Sequence, residues 1–230
     1  MTTTKNSLDR AAVSKVEGIL FDMDGVLIDS EPLHEFTLLE LSTQFGRRFE
    51  TYADLQAFKG LPELTAANRM LAQFPHVTLS AAEIIALRLE KIRQNFDRVK
   101  MIAGADTFLK RCKAAGYRLG LTTSADPSIQ QLAFATFGLS PSFDAVITGR
   151  DVKIGKPDPE PYLLTAVKLG VPATRCMVIE DAVSGVLSGK AAGCLVAAIT
   201  TSFTAGALLD AGAGFVASSF AELEANFFGD

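Results

Sequence analysis

The chain has 230 residues, 48% of them hydrophobic and 21% charged, with a formal net charge of −4. That length supports one core domain with an insertion, and the composition is that of an ordinary globular protein. The net negative charge argues against nucleic acid as a partner, and the longest apolar run, 191–199, is too short to span a bilayer.

Residues 1–15 are polar and carry no apolar segment of the secretory type, so a cytoplasmic protein is expected. The three cysteines, Cys112, Cys176 and Cys194, fit no zinc spacing and are read as reduced thiols. Residues 18–22 read as a short buried strand that runs into an Asp24-Gly25 turn. From Pro32 the pattern turns helical and ends near Gly46, with Asp29 and Ser30 expected to hold the turn and cap that helix. Segments 51–58, 63–73 and 80–96 also read as helices, the last with Ser80 and Glu83 as a capping box. Residues 34–100 therefore read as a run of helices.

The rhythm changes after Gly104. Strands at 118–122, 144–148, 176–179 and 195–199 alternate with helices at 105–115, 127–137, 159–169 and 182–192. This alternation predicts an α/β fold, a doubly wound parallel sheet, with a helical domain inserted after the first strand. The expected division is a core domain of residues 16–33 and 101–230 and an inserted helical domain of residues 34–100. In such sheets ligands sit beyond the carboxyl ends of the strands.

The strand ends carry a distinctive set of side chains. Asp22 and Asp24 follow the first strand, and Gly25 lets backbone N–H groups turn toward an anion. Close carboxylates repel unless a cation sits between them, and a hard dication such as Mg²⁺ suits an all-oxygen site. Thr122, Thr123 and Ser124 offer hydroxyl and N–H donors for phosphate oxygens, with Thr123 favoured by strand length. Lys156 stands just before a helix start, where its ammonium can neutralise a phosphate and an attacking carboxylate together. Glu180 and Asp181 form a second acidic pair. Such a set can bind a metal and a phosphoryl group and supply a nucleophile.

From Gly18 to about Ile199 the sequence resembles the haloacid dehalogenase superfamily, in the branch with an inserted helical cap. The resemblance rests on Asp22-Met-Asp24-Gly25-Val-Leu-Ile-Asp29-Ser30, on Thr123 at a strand end, on Lys156 in Gly-Lys-Pro-Asp-Pro, and on Glu180-Asp181 with Gly185 shortly after. It implies that Asp22 is a nucleophile forming an aspartyl-phosphate, and that Asp24 is the general acid and base. It also implies Mg²⁺ held by Asp22, the Asp24 carbonyl, Glu180 and Asp181. Phosphate would be held by Thr123 and Lys156, with Ser124 and the Gly25 region adding donors. His34 and Lys59, in the inserted domain, resemble substrate-facing residues.

Two departures from the family pattern stand out. Ala182 follows the acidic pair where many relatives have Ser, and Ala103-Gly104 replaces a frequent Pro-Gly at the return from the cap. The expected activity is hydrolysis of a small phosphate monoester, a sugar phosphate foremost, by a monomer that acts on a small phosphorylated metabolite. The nearest rival is an isomerase resembling β-phosphoglucomutase. Against it, Glu63 stands where such mutases carry an arginine for the second phosphate. A dehalogenase is disfavoured by Asp24, and a non-catalytic binding module by the complete motif set.

Overall fold

The computed structural model describes residues 8, 10–51, 54–55, 57–58, 61 and 63–229. They fall into two compact units, Met1–Asp29 with Met101–Asp230, and Ser30–Lys100. The strands in chain order are β1 (Gly18–Phe21), β2 (Ile28–Asp29), β3 (Lys100–Met101), β4 (Arg118–Thr122), β5 (Ala145–Ile147), β6 (Cys176–Glu180), β7 (Leu195–Ile199) and β8 (Phe215–Ala217).

Six of them form one sheet in the order β5-β4-β1-β6-β7-β8, and every neighbouring pair is parallel. The chain winds outward from β1 to β4 and β5, and in the opposite direction from β6 to β7 and β8. The topological switch point therefore lies between β1 and β6. Their register pairs Phe21 with Ile179, which sets Asp22 beside Glu180 at the carboxyl edge. Asp22 N–H continues the ladder by donating to Ile179 O.

Both faces of the sheet are covered, which is why β1, β4 and β6 read as nearly continuous apolar runs. One face packs Leu20, Val178 and Val196 against Tyr162, Leu169 and Val186. The other carries an aromatic layer in which Phe108 meets Phe21 at 6.1 Å and Phe220 at 5.4 Å between ring centroids. Helices Pro127–Phe137 and Glu160–Leu169 both end on a left-handed glycine, Gly138 and Gly170, as their sequence positions suggest. Residues Ala205–Phe228 complete the sheet unit with a helix, β8 and a last helix.

The inserted unit contains helices Glu31–Gln44, Glu63–Gln73 and Ala81–Gln94 and a 3₁₀ turn at Phe96–Arg98. Its core gathers Leu38, Leu41, Phe45, Met70, Phe74 and Ile84. The Ser80–Glu83 capping box forms with both reciprocal bonds. The helix expected over 51–58 appears among the described residues only as a helical turn at 54–55 followed by a turn at 57–58. Ser30 occupies the N-cap position of Glu31–Gln44, but its side chain makes no capping bond, because its backbone is already helical there. The strands expected at 18–22 and 144–148 are shorter, so that Asp22 lies just beyond β1, whereas β6 extends to include Glu180.

Candidate active site

Four of the residues singled out in the sequence meet at the β1–β6 edge. Lys156 Nζ donates to Asp22 Oδ1 at 2.7 Å, to Glu180 Oε1 at 2.8 Å and to Thr122 O at 3.1 Å. Those three bonds use all three ammonium donors. Ligand oxygens of Asp22, Glu180 and Asp181 all lie within 4.8 Å of one another. The lysine is held by its loop. Glu160, at the start of the following helix, accepts from the N–H groups of Lys153 and Ile154, and Ser188 donates to Asp158 O. The Lys156–Pro157 peptide bond is cis.

The Glu180 carboxylate is fully engaged. Oε1 takes Lys156 and the Tyr162 hydroxyl, and Oε2 takes the N–H groups of Asp181 and Ala182. The helix Val183–Ala191 has Ala182 at its N-cap without a side-chain bond. So Glu180, rather than Asp181, satisfies the free N–H groups before that helix. Room for this carboxylate comes from Gly185, where a Cβ would collide with it.

Gly25 is packed just as tightly on the other acid. A Cβ there would run into the Asp181 carboxylate, and its φ of 74° is one that side chains rarely adopt. Thr201, at the end of β7, donates to Gly25 O at 2.5 Å and lies 3.4 Å from Asp181 Oδ2. Asp24 is half-buried and near enough to raise the proton affinity of Asp22. Just beyond β4, Thr123 is buried and its hydroxyl accepts from Ala125 N–H, while Ser124 is exposed. Thr122 is no competitor for the phosphate role, because its hydroxyl is bonded to Thr165 at 2.7 Å.

Charge decides what else the site needs. Burial pushes the Asp22 carboxyl up to about 7, against the pull of Lys156 and with help from Glu180 and Asp24. Burial, then the charges of Glu180 and Asp22, hold Asp181 well above the usual carboxylate range. Burial alone would lower Lys156, but Asp22 and Glu180 keep it above its ordinary value. Three ionised carboxylates beside one ammonium sum to −3 + 1 = −2 in a site shielded from water. A bound dication would close that deficit, and carboxylate oxygens suit a hard cation, so the residues present fit Mg²⁺.

His34 belongs to the inserted unit, where Arg88 donates to its Nδ1 at 3.1 Å. Burial and that cation push His34 down to about 3, so the ring is neutral. Lys59 lies outside the described residues. Arg88, Tyr162, Thr165, Thr201 and Ser202 were not singled out in the sequence. The hydroxyl run Thr200-Thr201-Ser202 at the end of β7 carried the same signal as Thr122-Thr123-Ser124. Tyr162 carried none beyond a polar aromatic in a first helical turn. The three cysteines are free. No helix among the described residues is long and apolar enough to cross a membrane.

A family model for haloacid dehalogenase-like hydrolases matches residues 16–193. Hexitol phosphatase A of Escherichia coli (strain K12) is 34% identical over 186 residues, covering 80% of this chain and 83% of that protein. Fructose-1-phosphate phosphatase of the same organism is 30% identical over 181 residues, covering 76% and 92%. A candidate β-phosphoglucomutase from Thermotoga maritima has a solved structure that superposes with a TM-score of 0.74 at 30% identity, covering 88% and 94%. The matched segment begins just before β1 and runs past the Glu180-Asp181 pair, and the chain belongs to the haloacid dehalogenase-like hydrolase family.

Proposed function

We propose that the chain hydrolyses small phosphate monoesters, sugar phosphates among them, by way of a phosphoryl group carried on Asp22. The observation that carries this reading is the buried cluster of Asp22, Glu180 and Asp181 around Lys156, with its deficit of positive charge, at the switch point of the sheet. The relatives named for phosphatase activity on hexitol phosphates and fructose 1-phosphate support the substrate class.

Asp22 and Asp181 would hold Mg²⁺ with the Asp24 carbonyl, whereas Glu180, expected from the sequence as a further ligand, has both oxygens taken by four donors and would act through its charge. A bound dication supplies charge neutralisation for the phosphoryl group and keeps the carboxylates ionised. Asp22 attacks phosphorus with a carboxylate oxygen as the ester P–O bond breaks. Asp24 gives its proton to the departing alkoxide. It then takes a proton from the water that attacks phosphorus and frees the Asp22 carboxylate. Lys156 steadies Asp22 and offsets the phosphoryl charge, while Thr123 and Ser124 meet the phosphate oxygens. The inserted unit would select the substrate, with His34 and Lys59 as its candidate contact residues.

A second reading, a phosphosugar mutase, uses the same nucleophile and returns the phosphoryl group to a sugar. It is favoured by the likeness to the candidate β-phosphoglucomutase and by the cationic partner of His34, Arg88. The test is a panel of phosphate esters with Mg²⁺, reading inorganic phosphate. Release from hexose and hexitol phosphates, abolished by EDTA, is the expected result. No release from any ester would refute the reading.

A further inference from the structure

Helix Glu160–Leu169 lays two side chains against the acceptors of Lys156. Tyr162 is fully buried, and its hydroxyl donates to Glu180 Oε1 at 2.8 Å. Its ring centroid lies 4.9 Å from Lys156 Nζ. One turn later, Thr165 donates to Pro161 O, so the Thr122 hydroxyl is the donor in the 2.7 Å Thr122–Thr165 bond. The carbonyl of that same Thr122 accepts from Lys156. The approach of helix and strand depends on Gly120, where a Cβ would stand 2.6 Å from Thr165 Cγ2.

We propose that Tyr162 is a positioning residue, which holds Glu180 on Lys156 and thereby fixes the ammonium against Asp22. A lysine has a long flexible stem and a point charge with no preferred direction, so its placement is set by its acceptors. Glu180 Oε1 has two lone pairs to offer, and Tyr162 fills the one that Lys156 does not. Without the phenol, that lone pair is free for water or a cation, and the carboxylate is free to rotate away from the lysine. The ring adds a second restraint, because an ammonium beside an aromatic face in a dry site is attracted to it. A buried tyrosine whose hydroxyl only needed an acceptor would also make such a bond. What separates the two roles is whether the lysine changes when the phenol oxygen alone is removed.

That Asp22 is the nucleophile rests on the function proposed above, whereas the hold on Lys156 does not. The test is Tyr162→Phe in the full chain, followed by ¹⁵N-detected NMR of the lysine ammonium groups and by steady-state kinetics. The Lys156 signal is identified by its loss in Lys156→Met. In Tyr162→Phe its exchange with water should quicken about tenfold, and kcat should fall about tenfold with KM and thermal midpoint near wild type, the scale of one hydrogen bond to a charged group. Tyr117→Phe, far from the lysine bonds, should change neither. An ammonium signal and a kcat both within twofold of wild type, in folded Tyr162→Phe, would overturn the proposal. If wild type releases no phosphate, the functional reading fails, and the ammonium comparison still decides the role of Tyr162. Should Tyr162→Phe not fold, fluorotyrosine labelling decides instead, since the chain has only three tyrosines. The Tyr162 ¹⁹F resonance should move in Lys156→Met while the others stay, and an unmoved resonance would overturn the proposal.

Discussion

Lys156 donates a 2.7 Å hydrogen bond to Asp22 Oδ1 across 134 positions of sequence, and the side chains are only 7% and 12% exposed. The same nitrogen reaches Glu180 on the neighbouring strand. One cation is therefore shared by carboxylates that the sheet register forces together.

Removing that cation should be costly. Lys156→Met leaves Asp22 and Glu180 buried without a counter-charge, and breaking a buried pair in this way costs about 3 kcal/mol or more. Chemical denaturation of the metal-free protein should show that loss, and phosphate release should fall below detection. A variant as stable as wild type would mean that the carboxylates are solvated.

The shifted carboxylates fix the sign of a pH effect. The Asp22 value of about 7 lies above its ordinary 3.8, and Asp181 is shifted in the same direction. A raised carboxyl favours the folded state while it is protonated. Its contribution is full below about pH 4 and is lost as pH rises through 7. In EDTA the thermal midpoint should fall between pH 5 and pH 8, less so in Asp22→Asn. Mg²⁺ should raise the midpoint more at pH 8 than at pH 5, because protons no longer compete for the oxygens. An equal Mg²⁺ shift at both values would contradict this arrangement of charges.

Gly185→Ala tests the placement of Glu180. The new Cβ would collide with the carboxylate, which has to leave its four donors. A loss of about 2 kcal/mol in stability is expected, in the range for overpacking, together with at least tenfold lower activity. Gly206→Ala, where a Cβ meets open space, is the control.

Much of this site was legible in the sequence because parallel sheets gather their strand ends. Asp22, Lys156, Glu180 and Asp181 each stood at a predicted strand end or helix start, and the doubly wound order brings those places together. The division of labour within the site was not legible. That Glu180 rather than Asp181 takes the N–H groups before the next helix depends on a side-chain direction that no periodicity encodes. Tyr162 and Thr165 matter through helix register against β4 and β6, and the close packing at Gly120 shows only in three dimensions. In the inserted unit, helix periodicity found Glu63–Gln73 and Ala81–Gln94. It could not show that Arg88 would meet His34, 54 positions away.

Phosphatase and mutase differ in what the inserted unit must bind. Glu63 and Arg88 line the same small, mostly apolar cleft in that unit. Net release of inorganic phosphate is expected from β-glucose 1-phosphate, without stimulation by glucose 1,6-bisphosphate. Glucose 6-phosphate forming much faster than free phosphate would promote the mutase.

Chemical trapping tests the role of Asp22 most directly. The enzyme is quenched during turnover of a phosphate ester with Mg²⁺ and treated with borohydride, which reduces an acyl phosphate to an alcohol. Peptide mass spectrometry should find homoserine at position 22, dependent on both substrate and Mg²⁺ and absent from Asp22→Asn. Unmodified Asp22 during active turnover, or homoserine at any other aspartate, would contradict a phosphoryl group carried on Asp22.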